Sequence, residues 1–411
     1  MALICASLTG SVPTSPLTRT RHMLEMVGND QEMADMYFEM LFSEGTNVVS
    51  QLSLKYGSDN RVTAVQQGEG ADAADWYTFS FDGDKVSALN KMPNFLLKMY
   101  YLTVLVLLFL AELFYFKIAD KCNIIDKPNE RSSHTKVTLR GGGIIFYFGA
   151  LAYFLASGFD YFWFMLALTL VTFISFVDDI KSTGQMTRLL FHFSAMTLMF
   201  YQWGLFSLSW WWIVIALIVC TGIINAYNFM DGINGITGGY SLVILAALAY
   251  INKEVVTFVE ADFIYTVICS VLVFCFFNFR KRAKCFAGDV GSVSIAFILL
   301  FLIGRLIIET EDFSWIALLS VYGVDSVLTI IHRLMLHENI GLPHRKHLYQ
   351  IMANELKVPH VMVSSIYMAV QAIIIVGYIM CLGYGYWYLA GIILLLCFLY
   401  ICFMKKYFGL H

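Results

Sequence analysis

The chain has 411 residues, of which 59% are hydrophobic and only 14% are charged, and its formal net charge is −3. Soluble domains are about 45–50% apolar and about 25% charged, so the composition excludes an ordinary soluble domain and indicates a membrane protein. The small net charge gives no basis for a nucleic-acid partner, which would require a basic face.

Residues 1–98 are polar and contain turn signals rather than long apolar runs. We interpret them as an N-terminal extension, either a small appended segment or a stretch upstream of a true initiator at Met99. They contain no apolar run followed by a small-residue cleavage site, so they do not resemble a signal peptide. The second interpretation is preferred, because the orientation derived below places this segment outside the membrane without an export signal.

Residues 99–411 are predicted to form an all-α polytopic membrane domain, because backbone groups in lipid must be hydrogen-bonded within their own segment. A helix that crosses the bilayer core needs about 20 apolar residues. About eleven candidate spans lie near residues 100–119, 143–158, 161–178, 188–206, 209–226, 237–251, 262–278, 292–308, 315–331, 362–381 and 386–404. Several are shorter than the bilayer requires, which suggests that functional loops enter the membrane from one side.

Lys and Arg residues fall in alternate loops, and this pattern predicts the orientation of the chain. The basic loops and tail include Lys121, Arg140, Lys181, Arg188, Arg280, Lys281, Arg282, Lys284, Arg333, Arg345, Lys346, Lys405 and Lys406. The intervening loops carry almost no cation and include the acidic segment 309–312. By the positive-inside rule, the basic loops and the C-terminus are predicted to be cytoplasmic.

Unusual polar clusters occur at the predicted cytoplasmic ends of the spans. They are Arg140-Gly141-Gly142-Gly143, Asp178-Asp179, the stretch from Asn225 to Gly235, the stretch from Phe286 to Ser292, and a late loop with His344, Arg345, Lys346 and His347. Each alone has a structural interpretation as a solvated helix end, helix-packing amides, a turn with an N-cap, or interfacial histidines. Carboxylates at a membrane edge usually mark function, and their grouping on one face predicts a site.

The residue types in these clusters predict metal-dependent chemistry on phosphates. Adjacent carboxylates such as Asp178 and Asp179 repel each other unless a cation or a shared proton stabilises them. Oxygen ligands without thiolates suit Mg²⁺ or Mn²⁺, which usually bind through one or two carboxylates and substrate phosphates. Glycine-rich turns let backbone N–H groups approach phosphate oxygens, and Arg140 could complement a diphosphate. A membrane location implies a lipid substrate.

The ordered motifs resemble those of the polyprenyl-phosphate N-acetylhexosamine-1-phosphate transferases, a family that also includes the phospho-MurNAc-pentapeptide translocase. The resemblance covers residues 99–411. It rests on Asp126-x-Pro128-Asn129-Glu130-Arg131-x-x-His134 with Arg140-Gly141-Gly142-Gly143, on Asp178-Asp179, on Asn225-x-x-Asn228-x-x-Asp231-Gly232-x-Asn234-Gly235, and on Phe286-x-Gly288-Asp289-x-Gly291-Ser292.

The resemblance implies a role for each matching residue. The residues implied in catalysis are Asp178, Asp179 and Asp231. The residues implied in metal binding are Asp289 and Asn228. The residues implied in substrate binding are Asn225, Asn228, Gly232, Asn234, Phe286, Arg140, His344, Arg345 and His347. In this scheme Phe286 stacks on the uracil, the turn from Gly232 to Asn234 binds the nucleoside, and the late loop recognises the sugar.

The implied reaction moves an N-acetylhexosamine 1-phosphate from a UDP-sugar to undecaprenyl phosphate or another polyprenyl phosphate, releasing UMP, with Mg²⁺ or Mn²⁺ as cofactor. It would start a lipid-linked surface glycan at the cytoplasmic face of a bacterial inner membrane. Direct in-line displacement and a covalent aspartyl-phosphate route both remain open, as does a homodimer. The alternatives are peptidoglycan lipid I synthesis and, from another class, a membrane transporter, although no inverted repeat typical of transporters is visible.

Two positions depart from the family pattern. The second acidic residue of its Asp-Gly-x-Asp-Gly motif is replaced here by Asn234, which can hydrogen-bond a nucleoside but adds no charge. The late loop reads from Pro343 to Gln350 as Pro-His-Arg-Lys-His-Leu-Tyr-Gln instead of ending in a His-x-His-His cluster. The identity of the sugar is therefore the least determined part of the prediction.

Overall fold

The computed structural model describes residues 52–56, 62–67, 74–82, 85–91, 94–126, 137–181, 183–339 and 344–407. Most of the predicted N-terminal extension lies outside these ranges. The motif residues Pro128, Asn129, Glu130, Arg131, His134 and Pro343 lie outside them as well. The interpretation of residues 1–98 as an extension or an upstream stretch stays a prediction.

Four strands between residues 52 and 91 form an antiparallel sheet in the order β1–β2–β3–β4, which the sequence analysis did not predict. They are β1 Leu52–Tyr56, β2 Val62–Gln67, β3 Ala74–Asp82 and β4 Lys85–Lys91. Asp82 pairs with Lys85, so only two residues connect β3 to β4, the length typical of a tight hairpin. Strand β3 contains four aromatic residues and one threonine, residue types that favour a pleated sheet.

A helix coincides with each of the eleven predicted spans. These helices are α1 Asn94–Lys121, α2 Ile145–Ala156, α3 Phe162–Ile180, α4 Gln185–Gln202, α5 Trp210–Met230, α6 Ile236–Glu254, α7 Ala261–Asn278, α8 Gly288–Thr310, α9 Ser320–Met335, α10 His360–Met380 and α11 Gly385–Lys405. Within the described residues, nine helices are long and apolar enough to cross a membrane, while α2 is shorter and α4 is not among the nine. The prediction of an all-α polytopic membrane protein is confirmed, and the number of eleven crossings stays a prediction.

Helix α8 forms the centre of the helical unit. It packs against α2, α3, α5 and α6, and 78% of its most apolar window is buried. By contrast, only 11% of the corresponding window at Leu382–Lys405 is buried. A helix that is apolar on all sides belongs either in a core or against lipid, and burial assigns α8 to the core and α11 to the periphery.

Short irregular elements bring distant parts of the chain to the beginning of α8. A two-stranded antiparallel pair joins β5 Ile125–Asp126 to β6 Thr138–Leu139. Leu139 also forms a parallel bridge with Cys285, just before α8. This bridge carries Arg140 to the first turn of α8. Between α9 and α10, a one-turn helix, Leu348–Gln350, leads into a π-helical turn, Ile351–Glu355.

Candidate functional site

The first turn of α8 is capped by a carboxylate from another helix. Asp179, near the end of α3, accepts hydrogen bonds from the backbone N–H groups of Asp289 at 2.9 Å and Val290 at 3.0 Å. The first N–H groups of a helix have no partner within it, and its positive end favours an anion. The Asp179 side chain is fully enclosed, so these bonds fix the end of α3 against the beginning of α8.

Arg140 bridges two of the predicted acidic residues. Its Nε lies 2.6 Å from Oδ1 of Asp179, and its Nη2 lies 3.1 Å from Oδ1 of Asp289. Burial lowers the pKa of Arg140, but the charges of Asp179 and Asp289 outweigh that effect and hold the pKa above its usual value. The guanidinium therefore stays charged and links α8 to the segment after β6.

Arg188, in the first turns of α4, lies on the other side of Asp289. Its Nη1 is 3.2 Å from Oδ2 of Asp178, and its Nη2 is 3.9 Å from Oδ2 of Asp289. The other oxygen of Asp178 accepts hydrogen bonds from the backbone N–H and the hydroxyl of Thr183 at 2.6 and 2.7 Å. From the sequence, Arg188 was predicted only as one of the cations that orient the chain in the membrane. Its place ten residues after Asp178, at the beginning of the next helix, was the signal that could have identified it.

Asp231 follows the last residue of α5 and belongs electrostatically to the same cluster. Thr237 donates a hydrogen bond from its hydroxyl to Oδ1 of Asp231 at 2.7 Å. Burial, together with the negative charges of Asp289 and Asp179, raises the pKa of Asp231 to about 7, and Thr237 and Arg140 only partly oppose that rise. We call the end of the bundle that carries Asp178, Asp231 and Asp289 the aspartate end.

Glycines at the aspartate end allow backbones to meet, which corrects one expectation. We expected the N–H groups of the glycine-rich turn to approach phosphates, but Gly142 and Gly143 donate theirs to the carbonyls of Phe286 and Ala287 at 2.9 and 3.1 Å. A Cβ on Gly291 would lie 2.6 Å from Cα of Gly143, closer than real contacts allow. These glycines are therefore needed for close packing of α8 against the residues that precede α2.

The predicted nucleoside turn is fastened to neighbouring backbone. Asn234 is buried, and its amide donates to the carbonyl of Arg280 at 3.0 Å. Gly232 has no room for a side chain because a Cβ there would overlap the hydroxyl of Tyr349. The contacts of both residues are explained by packing, and their roles in nucleoside binding stay predictions.

The remaining predicted residues of this region differ in exposure. Asn225 is exposed on α5, while Asn228, one turn later, is half-buried. The Asn228 side chain has no hydrogen-bond partner among the described residues, so its amide remains available to a ligand. Phe286 is half-buried, and its backbone is held by Leu139 and Gly142. Along the chain, Asn228 lies three residues before Asp231, and Phe286 lies three residues before Asp289.

The late loop packs against the end of α5. The ring of Phe229 lies 6.4 Å from that of His344 and 6.2 Å from that of His347, between centroids. Burial lowers the pKa of His344 to about 3, so that imidazole is neutral at ordinary pH. Arg345 is half-buried. The loop and the segment containing Asp231 are thus neighbours, as the predicted sugar site requires.

The donor atoms at the aspartate end suit a hard divalent cation. The aspartate end carries the carboxylates of Asp178, Asp231 and Asp289, and Asn228 precedes Asp231 by three residues in the last turn of α5. The thiol of Cys285 is directed to Glu112. Within the described residues, no three His, Cys, Asp or Glu side chains form a ready-made metal cage. Mg²⁺ usually takes one or two carboxylates and completes its shell with water and substrate phosphates, so such an open set fits it.

A match to a known protein family includes several residues of the aspartate end. The family model described as glycosyl transferase family 4 matches residues 161–306. This range includes Asp178, Asp179, Asp231 and Asp289, but it excludes Arg140 and the late loop.

Three curated bacterial proteins resemble the chain over a longer stretch. A protein of Bacillus subtilis strain 168, named a probable undecaprenyl-phosphate N-acetylglucosaminyl 1-phosphate transferase, is 29% identical over 255 residues, covering 57% of this chain and 70% of that protein. The undecaprenyl-phosphate alpha-N-acetylglucosaminyl 1-phosphate transferase of Escherichia coli K12 is 27% identical, covering 57% of this chain and 70% of that protein. The protein of that name from Salmonella typhi is 27% identical, covering 61% of this chain and 74% of that protein.

Proposed function

We propose that this chain is a member of glycosyl transferase family 4 and that it transfers an N-acetylhexosamine 1-phosphate from a UDP-sugar to undecaprenyl phosphate or another polyprenyl phosphate and releases UMP. The reaction would be the first step in building a lipid-linked surface glycan. The names of the three relatives support UDP-N-acetylglucosamine as the first sugar nucleotide to test.

The observation that carries the proposal is the arrangement around Asp289. Its carboxylate has Arg140 on one side and Arg188 on the other, and each arginine also pairs with a second aspartate of α3. The side chains of Arg140 and Arg188 are about one third exposed, which leaves room for a phosphate to approach them. Guanidinium groups bind phosphate oxygens through paired hydrogen bonds, and two of them beside carboxylates suit a diphosphate with a divalent cation.

A magnesium ion would be held by Asp289 and by the oxygen of Asn228, with Asp231 nearby. When bound, it would neutralise phosphate charge and make the β-phosphorus more electrophilic. Asp289 is 18% exposed in its side chain, which leaves its carboxylate accessible from the aspartate end.

The protein groups would act mainly by positioning and by charge. A lipid phosphate oxygen would attack the β-phosphorus of the UDP-sugar, forming one P–O bond while the bond to the bridging oxygen breaks and its electrons leave with UMP. Arg188 would orient the lipid phosphate while Asp178, held by Thr183, keeps Arg188 in place. Arg140 would stabilise the charge that develops on the leaving phosphate, the kind of electrostatic assistance that is usually the largest catalytic effect.

We further propose that the aspartate end faces the cytoplasm of a bacterial inner membrane. The distribution of lysine and arginine supports this orientation, because the basic loops lie at the same helix ends as Asp178 and Asp289. UDP-sugars are made in the cytoplasm, so the nucleotide and the lipid phosphate would meet there.

The test is an assay of the purified full-length protein with undecaprenyl phosphate and separate UDP-sugars, including UDP-N-acetylglucosamine, UDP-N-acetylgalactosamine and UDP-MurNAc-pentapeptide. We expect UMP release with at least one N-acetylhexosamine, loss of activity with EDTA, and recovery with Mg²⁺. Activity with UDP-MurNAc-pentapeptide alone would support the peptidoglycan alternative. The proposal would be overturned if the protein released no UMP with any of these nucleotides while a thermal unfolding measurement showed that it was folded.

A further inference from the structure

Asp325 is a buried carboxylate in α9 that the sequence analysis did not single out. Only 2% of the residue is exposed, and it lies within a candidate membrane span, Phe313–Met335. Ionisable residues inside a membrane are costly and usually functional. Asp325 therefore needs an explanation beyond packing.

Donors from several parts of the chain converge on Asp325. Its Oδ2 accepts a hydrogen bond from the hydroxyl of Tyr367 in α10 at 2.6 Å. Its Oδ1 accepts from the backbone N–H of Leu348 at 3.0 Å and from the hydroxyl of Thr329 at 3.2 Å. A carboxylate that receives donors at both oxygens acts as an acceptor only. Asp325 thus joins α9 and α10 to the beginning of the helical turn at Leu348.

The same carboxylate faces His347. Nδ1 of His347 lies 3.4 Å from Oδ1 of Asp325. An ionised carboxylate can only accept, so this pairing favours a proton on Nδ1, and in the neutral imidazole Nε2 is then an acceptor. His347 is 1% exposed, and its Nε2 has no partner among the described residues. A buried acceptor without a partner is unfavourable unless a ligand donates to it.

The segment that Asp325 holds also touches the chain beside the aspartate end. Tyr349 donates a hydrogen bond from its hydroxyl to the carbonyl of Phe229 at 2.8 Å, and the same hydroxyl occupies the space beside Gly232. Asp231 lies between these two positions. A shift of the segment from His347 to Tyr349 would therefore move the end of α5, which carries Asn228.

We propose that Asp325 is a positioning residue for the nucleotide sugar. It fixes His347 as the Nδ1–H tautomer and anchors the segment from His347 to Tyr349. Nε2 of His347 then accepts a hydrogen bond from a hydroxyl or amide N–H of the sugar nucleotide, while Tyr349 supports the end of α5. This inference rests on the proposed function for the identity of the ligand, but the pairing of Asp325 with His347 can be tested without it.

The first experiment is kinetic and uses full-length Asp325→Ala, Asp325→Asn and Tyr367→Phe. In Asp325→Ala we expect KM for the UDP-sugar to rise roughly tenfold, while KM for undecaprenyl phosphate is unchanged. Asp325→Asn keeps an acceptor and should recover part of the loss. Tyr367→Phe removes one hydrogen bond without removing the carboxylate, and should raise the same KM by about fivefold.

A second experiment reads the imidazole directly, using ¹⁵N-histidine-labelled protein without substrate. The His347 signals are assigned by comparison with His347→Gln. We expect the Nδ1–H tautomer in the wild type and a shift towards Nε2–H, the form that free imidazoles prefer, in Asp325→Ala. Tyr378→Phe is the matched control, because it removes a phenol of the same helix that instead bonds Ser314. It should change neither KM nor the His347 signals.

The outcomes separate this inference from the proposed function. Nε2–H as the main form of His347 in the wild type would overturn the inference whatever the activity. An active enzyme whose folded Asp325 and Tyr367 variants keep the wild-type KM would overturn the inference alone. If Asp325→Ala does not fold, the comparison of Tyr367→Phe with Tyr378→Phe decides. A wild type that releases no UMP overturns the proposed function instead.

Discussion

The two ends of α8 both carry carboxylates, but they use them differently. Beyond the C-terminal end, Asp312 accepts from the backbone N–H and hydroxyl of Ser314, two residues away, at 2.8 and 2.6 Å. At the N-terminal end, Asp179 accepts from Asp289 and Val290, which are 110 and 111 residues away, and pairs with Arg140. One end uses local capping and the other uses contacts between distant segments.

The difference separates charges that stabilise only their own turn from charges that hold distant segments together. A local cap fixes one turn, so its loss is felt in that turn. A carboxylate shared by two helices and an arginine fixes the relative position of all three. Because substrates of the proposed reaction must meet at fixed distances, the long-range set should control activity and the local set should control only stability. The following predictions test this distinction, from the largest expected effect to the smallest.

Replacing the central carboxylate of the aspartate end should have the largest effect. In Asp289→Asn, we expect UMP release to fall by at least about 100-fold, because the side chain that Arg140 and Arg188 both face loses its charge. The fold should be retained, since this side chain is partly exposed. The measurement is UMP release alongside thermal unfolding in detergent.

The matched control for Asp289→Asn is Asp312→Asn at the opposite end of α8. Here we expect an unchanged rate and little change in stability, because asparagine caps a helix about as well as aspartate does. A fully active Asp289→Asn enzyme, or an inactive but folded Asp312→Asn enzyme, would contradict the distinction between the two ends.

Asp179→Asn should combine the two kinds of effect. The amide can accept one backbone hydrogen bond but presents N–H to the second donor, and the ion pair with Arg140 is lost. We expect a loss of about 1–3 kcal/mol of stability and a rate roughly 10- to 100-fold lower. Chemical denaturation and UMP release measure the two effects. Wild-type stability would show that Asp179 does not cap α8 in solution.

Adding one methyl group between α8 and the turn before α2 tests their close contact. Gly291→Ala should cost about 1–3 kcal/mol of stability, because its Cβ would meet the backbone of Gly143. Gly222→Ala in α5 is the control, since nothing lies within 4 Å of its added Cβ. That change should be neutral or slightly stabilising, because alanine is the better helix former. Equal thermal unfolding of both variants would refute the contact.

The smallest expected effect comes from the hydrogen bond to Asp231. Thr237→Val replaces the donating hydroxyl with a methyl group of similar size. We expect the rate to fall by about fivefold with little change in stability. Thr266→Val in α7 is the matched control, because that buried threonine bonds only the carbonyl of Phe263 within its own helix. Equal rates for the two variants would exclude Asp231 from the functional set.

Most of the helical architecture could be predicted from the sequence, because long apolar runs have few structural solutions in lipid. The boundaries differed where polar residues belong to helices: α3 continues through Asp179 to Ile180, and α8 begins at Gly288 rather than near residue 292. The sheet formed by β1 to β4 was missed, because its strands are short and their pairing depends on register rather than on continuous hydrophobicity.

The candidate site was partly predictable for a similar reason. Asp178, Asp231 and Asp289 stand out because carboxylates are rare beside apolar runs. Arg188 looked like one of many boundary cations, and its pairing with Asp178 and Asp289 depends on a side-chain direction that the sequence does not reveal. Asp325 has no sequence signal that links it to His347, 22 residues away. The glycines of residues 141–143 were recognised, but only the structure showed that the N–H groups of Gly142 and Gly143 are already used.

The hydrogen bond from Asn234 to the Arg280 carbonyl has a consequence for the charge balance of the molecule. With every group ionised, the carboxylates of Asp178, Asp179, Asp231 and Asp289 and the guanidinium groups of Arg140 and Arg188 leave a formal charge of −2. A single divalent ion would cancel this excess. An aspartate at position 234 would face a carbonyl oxygen without a proton to donate, and it would leave one further negative charge uncompensated, so neutrality at this position would suit the single metal ion proposed above.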